Sequence, residues 1–185
     1  MKRDTMSGLD YMRKIAAGEI EAAPMARLLN IRITAVEEGH VTVTGEPARE
    51  FENGLQIAHG GFAAALLDTA LGCAVNSVMP AGKIFTTLEM KINFTHAVTR
   101  NTGTLTCAAD VVHAGRTTAT AEGRIVDDAG KLYAHGTATC ILFRDTTESA
   151  SVLGPRSSAA PAPARVGGTE DRGPRTEDTE QEKSS

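Results

Sequence analysis

The sequence predicts an α+β fold in which one antiparallel β-sheet packs against a single long α-helix. Three observations point that way. Gly60 to Met79 is an Ala- and Leu-rich stretch closed by Pro80-Ala81-Gly82, where proline cannot continue a helix. Four long runs of strand character follow it, separated by turn compositions. A sheet with a helix against one face is the simplest way to bury such a helix.

Taken in order, Ser7 to Glu19 spaces Leu9, Met12, Ile15 and Ala16 for an amphipathic helix ending near Gly18. A short helix begins at Pro24 and runs to Leu29. Ile31 to Val36 alternates, Glu37-Glu38-Gly39 turns, and Val41 to Thr44 alternates again, which is a hairpin. Phe51 to Ala58 reads as loop. The strands after the long helix are Phe85–Thr95, Thr104–Val112, Thr117–Asp127 and Leu132–Phe143. Asp128-Ala129-Gly130 lets the last two meander as antiparallel neighbours. The long helix is apolar nearly all round, so one sheet face is not expected to cover it and a second subunit is.

Composition limits the function classes. The chain has 185 residues, 41% hydrophobic and 23% charged, with a formal net charge of -4, which suits a soluble domain and gives no basic field for nucleic acid. Residues 1–144 carry 14 Lys and Arg against 15 Asp and Glu, and 145–185 carry 5 against 8. That C-terminal stretch, rich in Pro, Ala and Ser, is expected to be a disordered acidic tail. The expected division is therefore a helical lead at 1–24, a folded domain at 25–144 and the tail at 145–185. Cys73, Cys107 and Cys140 form no paired motif and read as small core residues in a reducing compartment. The N-terminus lacks a secretion signal, and Asp68 and Asn76 interrupt the longest apolar stretch, so neither export nor a membrane span is expected and the location is cytoplasmic. His96, His113 and His135 have no metal-ligand spacing, and no metal is expected.

The chemistry gathers at the long helix. His59-Gly60-Gly61 opens it, and a glycine pair there allows a ligand close to the free N–H groups of the first turn, where the helix dipole favours developing negative charge. Asp68 stands in an otherwise apolar run and is expected to be a buried, functional carboxylate. It lies about 12 Å from Gly60 along a helix, too far for one carbonyl carbon to meet both within one chain. Two such helices antiparallel across a two-fold axis would bring Asp68 of one copy to the Gly60 end of the other.

Asn53, His59-Gly60-Gly61, Asp68, the run Thr86-Thr87-Leu88-Glu89-Met90-Lys91-Ile92-Asn93-Phe94 and the turn His113-x-Gly115-Arg116-Thr117 together resemble the hotdog-fold acyl-CoA thioesterases of the PaaI-like, phenylacetate-pathway type, in the wider 4-hydroxybenzoyl-CoA thioesterase-like superfamily. The resemblance covers roughly residues 25–144. It implies a sheet wrapped round one helix and hydrolysis of an acyl- or aryl-CoA to acid and CoA, with coenzyme A as part of the substrate and no separate cofactor. It implies a homodimer, usually paired into a tetramer. By the same resemblance Asp68 is the catalytic carboxylate, either attacking the thioester or activating water. Gly60 supplies the oxyanion N–H, Asn53 an assisting amide, His59 the turn beside the thioester, and Thr87 a hydroxyl near the attacking water. Gly61, Gly115, Arg116 and Thr117 are implied as substrate contacts, with Arg116 able to pair with phosphate. Two rivals stand beside this reading: a hydratase or dehydratase of the same fold, which usually carries an Asp–His pair in a different spacing, and a non-catalytic acyl-CoA-binding module, which would not need Asp68.

Overall fold

The computed structural model describes residues 5–144; the expected tail at 145–185 lies outside the described residues. The elements are α1 (Gly8–Ala16), α2 (Pro24–Leu28), β1 (Ile31–Glu37), β2 (His40–Gly45), a short 3-10 turn (Arg49–Phe51), α3 (Gly60–Ser77), β3 (Lys83–Phe94), β4 (Leu105–Ala114), β5 (Thr118–Val126) and β6 (Leu132–Arg144). The strands form one sheet in the order β1-β2-β4-β5-β6-β3, every neighbour antiparallel. The expected hairpin is β1–β2, with Gly39 at φ 80 in its turn, a conformation that costs glycine little. The expected meander is β5–β6. β3 follows α3 but crosses to the far edge beside β6.

All six strands touch α3, so the curled sheet encloses the helix on several sides. Leu66, Leu67, Leu71 and Val75 are fully buried. The sheet comes close to the helix where Gly123 pairs with Gly136: a Cβ on Gly136 would stand 2.9 Å from Leu67 Cδ2, and 2.1 Å from the Lys91 carbonyl oxygen of β3. The glycine pair is a notch that seats Leu67.

This enclosure corrects the reason given for a second subunit. One chain buries every large apolar side chain of α3; what it leaves wholly or partly open is Gly60, Gly61, Ala64, Ala65, Asp68, Thr69 and Cys73, a stripe of small residues and one carboxylate. Asp68 itself is exposed in the single chain, not buried as expected.

The N-terminal lead packs onto the same body. Ser7 caps α1 by accepting the Asp10 N–H at 3.1 Å, and the Gly8 N–H donates to the Met79 carbonyl at 2.8 Å. Gly8 lies so close to the Asn76 carbonyl that a Cβ would be 1.7 Å from its oxygen. Met12 is buried, and α1 lies against β1 and α3.

β3 changes phase halfway. Thr87 pairs with Cys140 and Glu89 with Thr139, adjacent residues of β6, so Leu88 is an extra residue bulged from the strand. Before it Phe85 and Thr87 face α3; after it Met90, Ile92 and Phe94 do, while Glu89 turns outward to accept the Thr139 hydroxyl at 2.9 Å. No described helix is long and apolar enough to cross a membrane.

Candidate active site

The start of α3 is held by its own sequence. His59 is the N-cap: its Nδ1 accepts the Gly61 N–H at 2.9 Å, and its carbonyl accepts the Phe62 N–H at 2.9 Å. With Nδ1 an acceptor, the neutral ring carries its proton on Nε2. The His59 N–H donates to Phe51 at 2.7 Å and the Ala58 N–H to Val98 at 2.8 Å, which pins the approach to the helix. Gly60 is the first helical residue, and its N–H has no acceptor among the described residues, as the first turn of a helix leaves its donors free.

Asn53 reaches the same place through a tight loop. Its N–H donates to the Ile57 carbonyl at 2.8 Å, its own carbonyl accepts the Gln56 N–H at 2.9 Å, and its Oδ1 accepts the Leu55 N–H at 2.8 Å. The last bond fixes the side chain so that the amide nitrogen is the end left for other partners. Next to it, Glu52 pairs with Arg100 at 3.3 Å. Asn53, His59 and Gly60 line one cavity of about 320 Å³ together with Phe94, His96 and Tyr133.

Asp68 is elsewhere. Thr87 Oγ1 donates to Asp68 Oδ1 at 3.1 Å, tying the middle of α3 to β3 just before the bulge. Thr87, and not its neighbour Thr86, is the hydroxyl that reaches Asp68. Both line a second cavity, of about 590 Å³, with Cys73, Phe85 and the inner face of α1. Burial, and then the Asp68 charge, push the Cys73 thiol up to about 12, and burial alone does the same for Cys107. Both thiols therefore stay protonated at neutral pH and are poor nucleophiles.

The chain thus holds two half-constellations: Asn53, His59 and Gly60 at the start of α3, and Asp68 with Thr87 about 12 Å along it. The turn with Gly115, Arg116 and Thr117 belongs to the Thr87 end of the sheet. There the Gly115 N–H donates to the Thr118 carbonyl at 2.8 Å, Lys83 Nζ donates to the Arg116 carbonyl at 3.3 Å, and the Thr117 carbonyl accepts the Leu142 N–H at 2.8 Å. Lys83 stands opposite Arg144 in the β3–β6 register, so three cations share this end.

In the sequence His96 stands out only as lacking metal-ligand spacing. The structure places it in the cavity with Gly60, its Nδ1 bonded to the Leu132 carbonyl at 2.7 Å; as the carbonyl can only accept, Nδ1 carries the proton and Nε2 is left over. No local pattern marks it, because its place depends on β3 crossing to the far edge. His135 lies on the outer face of the sheet and His113 at the end of β4.

A long helix wrapped by a six-stranded antiparallel sheet is the arrangement of the hotdog fold. Comparison with known proteins agrees. Residues 55–134 match the thioesterase superfamily, and the matches below support a thioester hydrolase similar to the PaaI-like hotdog thioesterases. It is 29% identical over 105 residues to a 1,4-dihydroxy-2-naphthoyl-CoA hydrolase of Listeria monocytogenes serotype 1/2a (strain 10403S), covering 56% of this chain and 83% of the relative. Among solved structures, the E. coli PaaI protein from the phenylacetic acid degradation operon is similar at TM-score 0.65 and 29% identity, over 74% of this chain and 96% of that one. A phenylacetic acid degradation-related protein of Ralstonia eutropha JMP134 is similar at TM-score 0.65 and 27% identity, over 71% and 98%.

Proposed function

We propose that this chain hydrolyses the thioester of an acyl- or aryl-CoA to the free acid and CoA, in a site shared by two copies. The observation that supports it best is the open stripe on α3. Asp68 is exposed there among residues no larger than Thr, with Gly61 further up the same stripe. Two α3 helices can therefore lie antiparallel in contact, and Asp68 of each copy then meets the Gly60 end of the other. β3, the edge strand on this side, offers a free ladder for the same two-fold pairing. The resulting homodimer is the proposed active unit, with pairing of dimers as the proposed higher assembly.

In that arrangement the thioester carbonyl oxygen sits on the Gly60 N–H at the positive end of α3, with the Asn53 amide as a second donor. His59 occupies the Gly61 N–H, which leaves Gly60 as the donor of the pair. Asp68, oriented by Thr87, attacks the carbonyl carbon to expel the CoA thiolate and form an anhydride that water then hydrolyses, or takes the proton of a water that attacks the carbonyl carbon and expels the thiolate directly. Both routes end in the same products. Arg116, Lys83 and Arg144 supply positive charge for the CoA phosphates at the Thr87 end. The test is thiol release from a panel of acyl- and aryl-CoAs: wild type releases CoA thiol and Asp68→Ala does not. An Asp68→Ala protein that turns over at the wild-type rate refutes the assignment.

A further inference from the structure

The larger cavity continues away from Asp68 along α3, past Thr69, Gly72 and Cys73 to Asn76, about 12 Å of helix. Its far wall comes from the N-terminal lead and the two elements after it: Met12 and Ile15 of α1, Ala26 of α2, and Ile33 of β1, with Phe85 of β3 closing one side. None of the residues from the lead, α2 or β1 falls within 55–134, the stretch shared with the thioesterase superfamily. Residues 53–87 thus hold the proposed chemistry, and residues 11–33 shape the space beyond it.

The lining is selective. Apart from Asp68 at the mouth, its charged residues are Glu21 and Arg27, which pair with each other. A second carboxylate on the acyl group would find no free cation there and would lose its hydration. Small residues, Thr69, Gly72 and Cys73, line the α3 side, and a Cβ on Gly72 would stand 3.3 Å from the Phe85 ring, so the channel stays open along the helix.

Resting on the proposed hydrolase reading, we infer that this cavity is the acyl subsite, that it takes an uncharged apolar acyl group of medium length laid along α3, and that α1 and α2 set the chain-length preference through Ile15 and Ala26. An apolar cavity of about 590 Å³ is within the usual range for a small-molecule site. The thioester carbonyl at Asp68 marks where the chain enters.

The experiment measures kcat/KM for butyryl-, octanoyl-, dodecanoyl- and succinyl-CoA by thiol release, on full-length wild type and on Ile15→Phe and Ala26→Leu, which fill the cavity. Wild type is expected to prefer octanoyl- over both butyryl- and succinyl-CoA. Each filling variant is expected to lower the octanoyl-to-butyryl ratio about tenfold, as loss of one or two buried methylenes does. If a filling variant fails to fold by circular dichroism, Ile15→Ala, which enlarges the cavity, is expected to raise the dodecanoyl-to-octanoyl ratio. Folded variants whose ratios equal those of an active wild type overturn this inference and leave the hydrolase reading standing. A wild type that prefers succinyl-CoA does the same. A wild type that releases thiol from benzoyl- or phenylacetyl-CoA but from none of these four overturns this inference alone, and one that releases none from the aryl-CoAs either overturns both.

Discussion

Gly60→Pro removes a single hydrogen atom from the proposed oxyanion site and leaves the helix able to form. Gly60 is the first residue of α3, a position where proline is accommodated because its N–H has no intrahelical partner. The residue before a proline must be extended, and His59 already is, at φ -57 and ψ 139. The added Cβ meets one side chain, Phe94, with Cζ 3.2 Å away; Phe94 is 55% exposed and can swing aside. The fold should survive while the donor is lost, and losing one preorganised oxyanion donor costs about 10²–10³ in kcat, or ~2.7–4 kcal/mol. The assay is steady-state thiol release, with a thermal melt to confirm folding. Mixing unfolded Gly60→Pro and Asp68→Ala chains in equal amounts and refolding them tests the sharing directly. Half of the dimers are then mixed, and one of the two sites in each has both intact groups, so about a quarter of wild-type activity returns. A folded Gly60→Pro protein within about threefold of wild-type kcat refutes the oxyanion role. A mixture no more active than its components refutes a site built from two chains.

Other outcomes follow from the same geometry. Thr87→Val keeps the shape of the side chain but removes the hydroxyl that donates to Asp68; a hydrogen bond to a charged group is worth about 1.5–3 kcal/mol, so kcat should fall about tenfold or more while the melting temperature changes little, and an unchanged kcat would remove Thr87 from the site. Leu67→Ala empties the notch above Gly123 and Gly136 and should destabilise the fold by about 2–5 kcal/mol in a denaturant titration. Gly136→Ala should destabilise it too, since the new methyl collides with the Lys91 carbonyl, and it should do so more than Gly123→Ala, whose nearest contacts are at 3.1 Å; equal effects would deny the close approach. Asp127 is held below its ordinary value, first by the Lys131 N–H, then by the Tyr133 hydroxyl and the Ala129 N–H. A lowered carboxylate favours the folded turn above its ordinary range and loses that contribution as pH falls through the folded value, so exchange of the Ala129 and Lys131 amide hydrogens should rise in acid, and Asp127→Asn should abolish the rise.

The order and type of the elements were legible because they rest on local signals. The predicted helix from Gly60 to Met79 is α3, Gly60–Ser77, since glycine and proline punctuate both ends. Of the candidate site the sequence offered only residue types and spacing, and the contact of Thr87 with Asp68 is visible in the structure alone. Asp68 misled in one respect. A carboxylate in an apolar run suggested burial, but its exposure is decided by how far the sheet curls and by where α1 docks. Neither leaves a trace near residue 68. The phase change in β3 was missed because Leu88 resembles any apolar strand residue; only the pairing with β6 shows it to be extra. His96 and the lead residues Tyr11, Met12 and Ile15 were missed for a similar reason, since contacts distant in sequence bring them to the two cavities.

The bulge at Leu88 also makes β3 unequally tolerant of insertion and deletion. Because Leu88 has no counterpart in β6, excising it joins Thr87 to Glu89 in regular alternation: Thr87 inward, Glu89 outward, Met90 inward. Every remaining side chain keeps its face. Excising Lys91 instead sends Phe94 outward or drives Asn93 against α3, and the helix start loses the ring that packs on Gly60. Leu88 is thus the residue within β3 that gene-length variation can remove without reversing the strand.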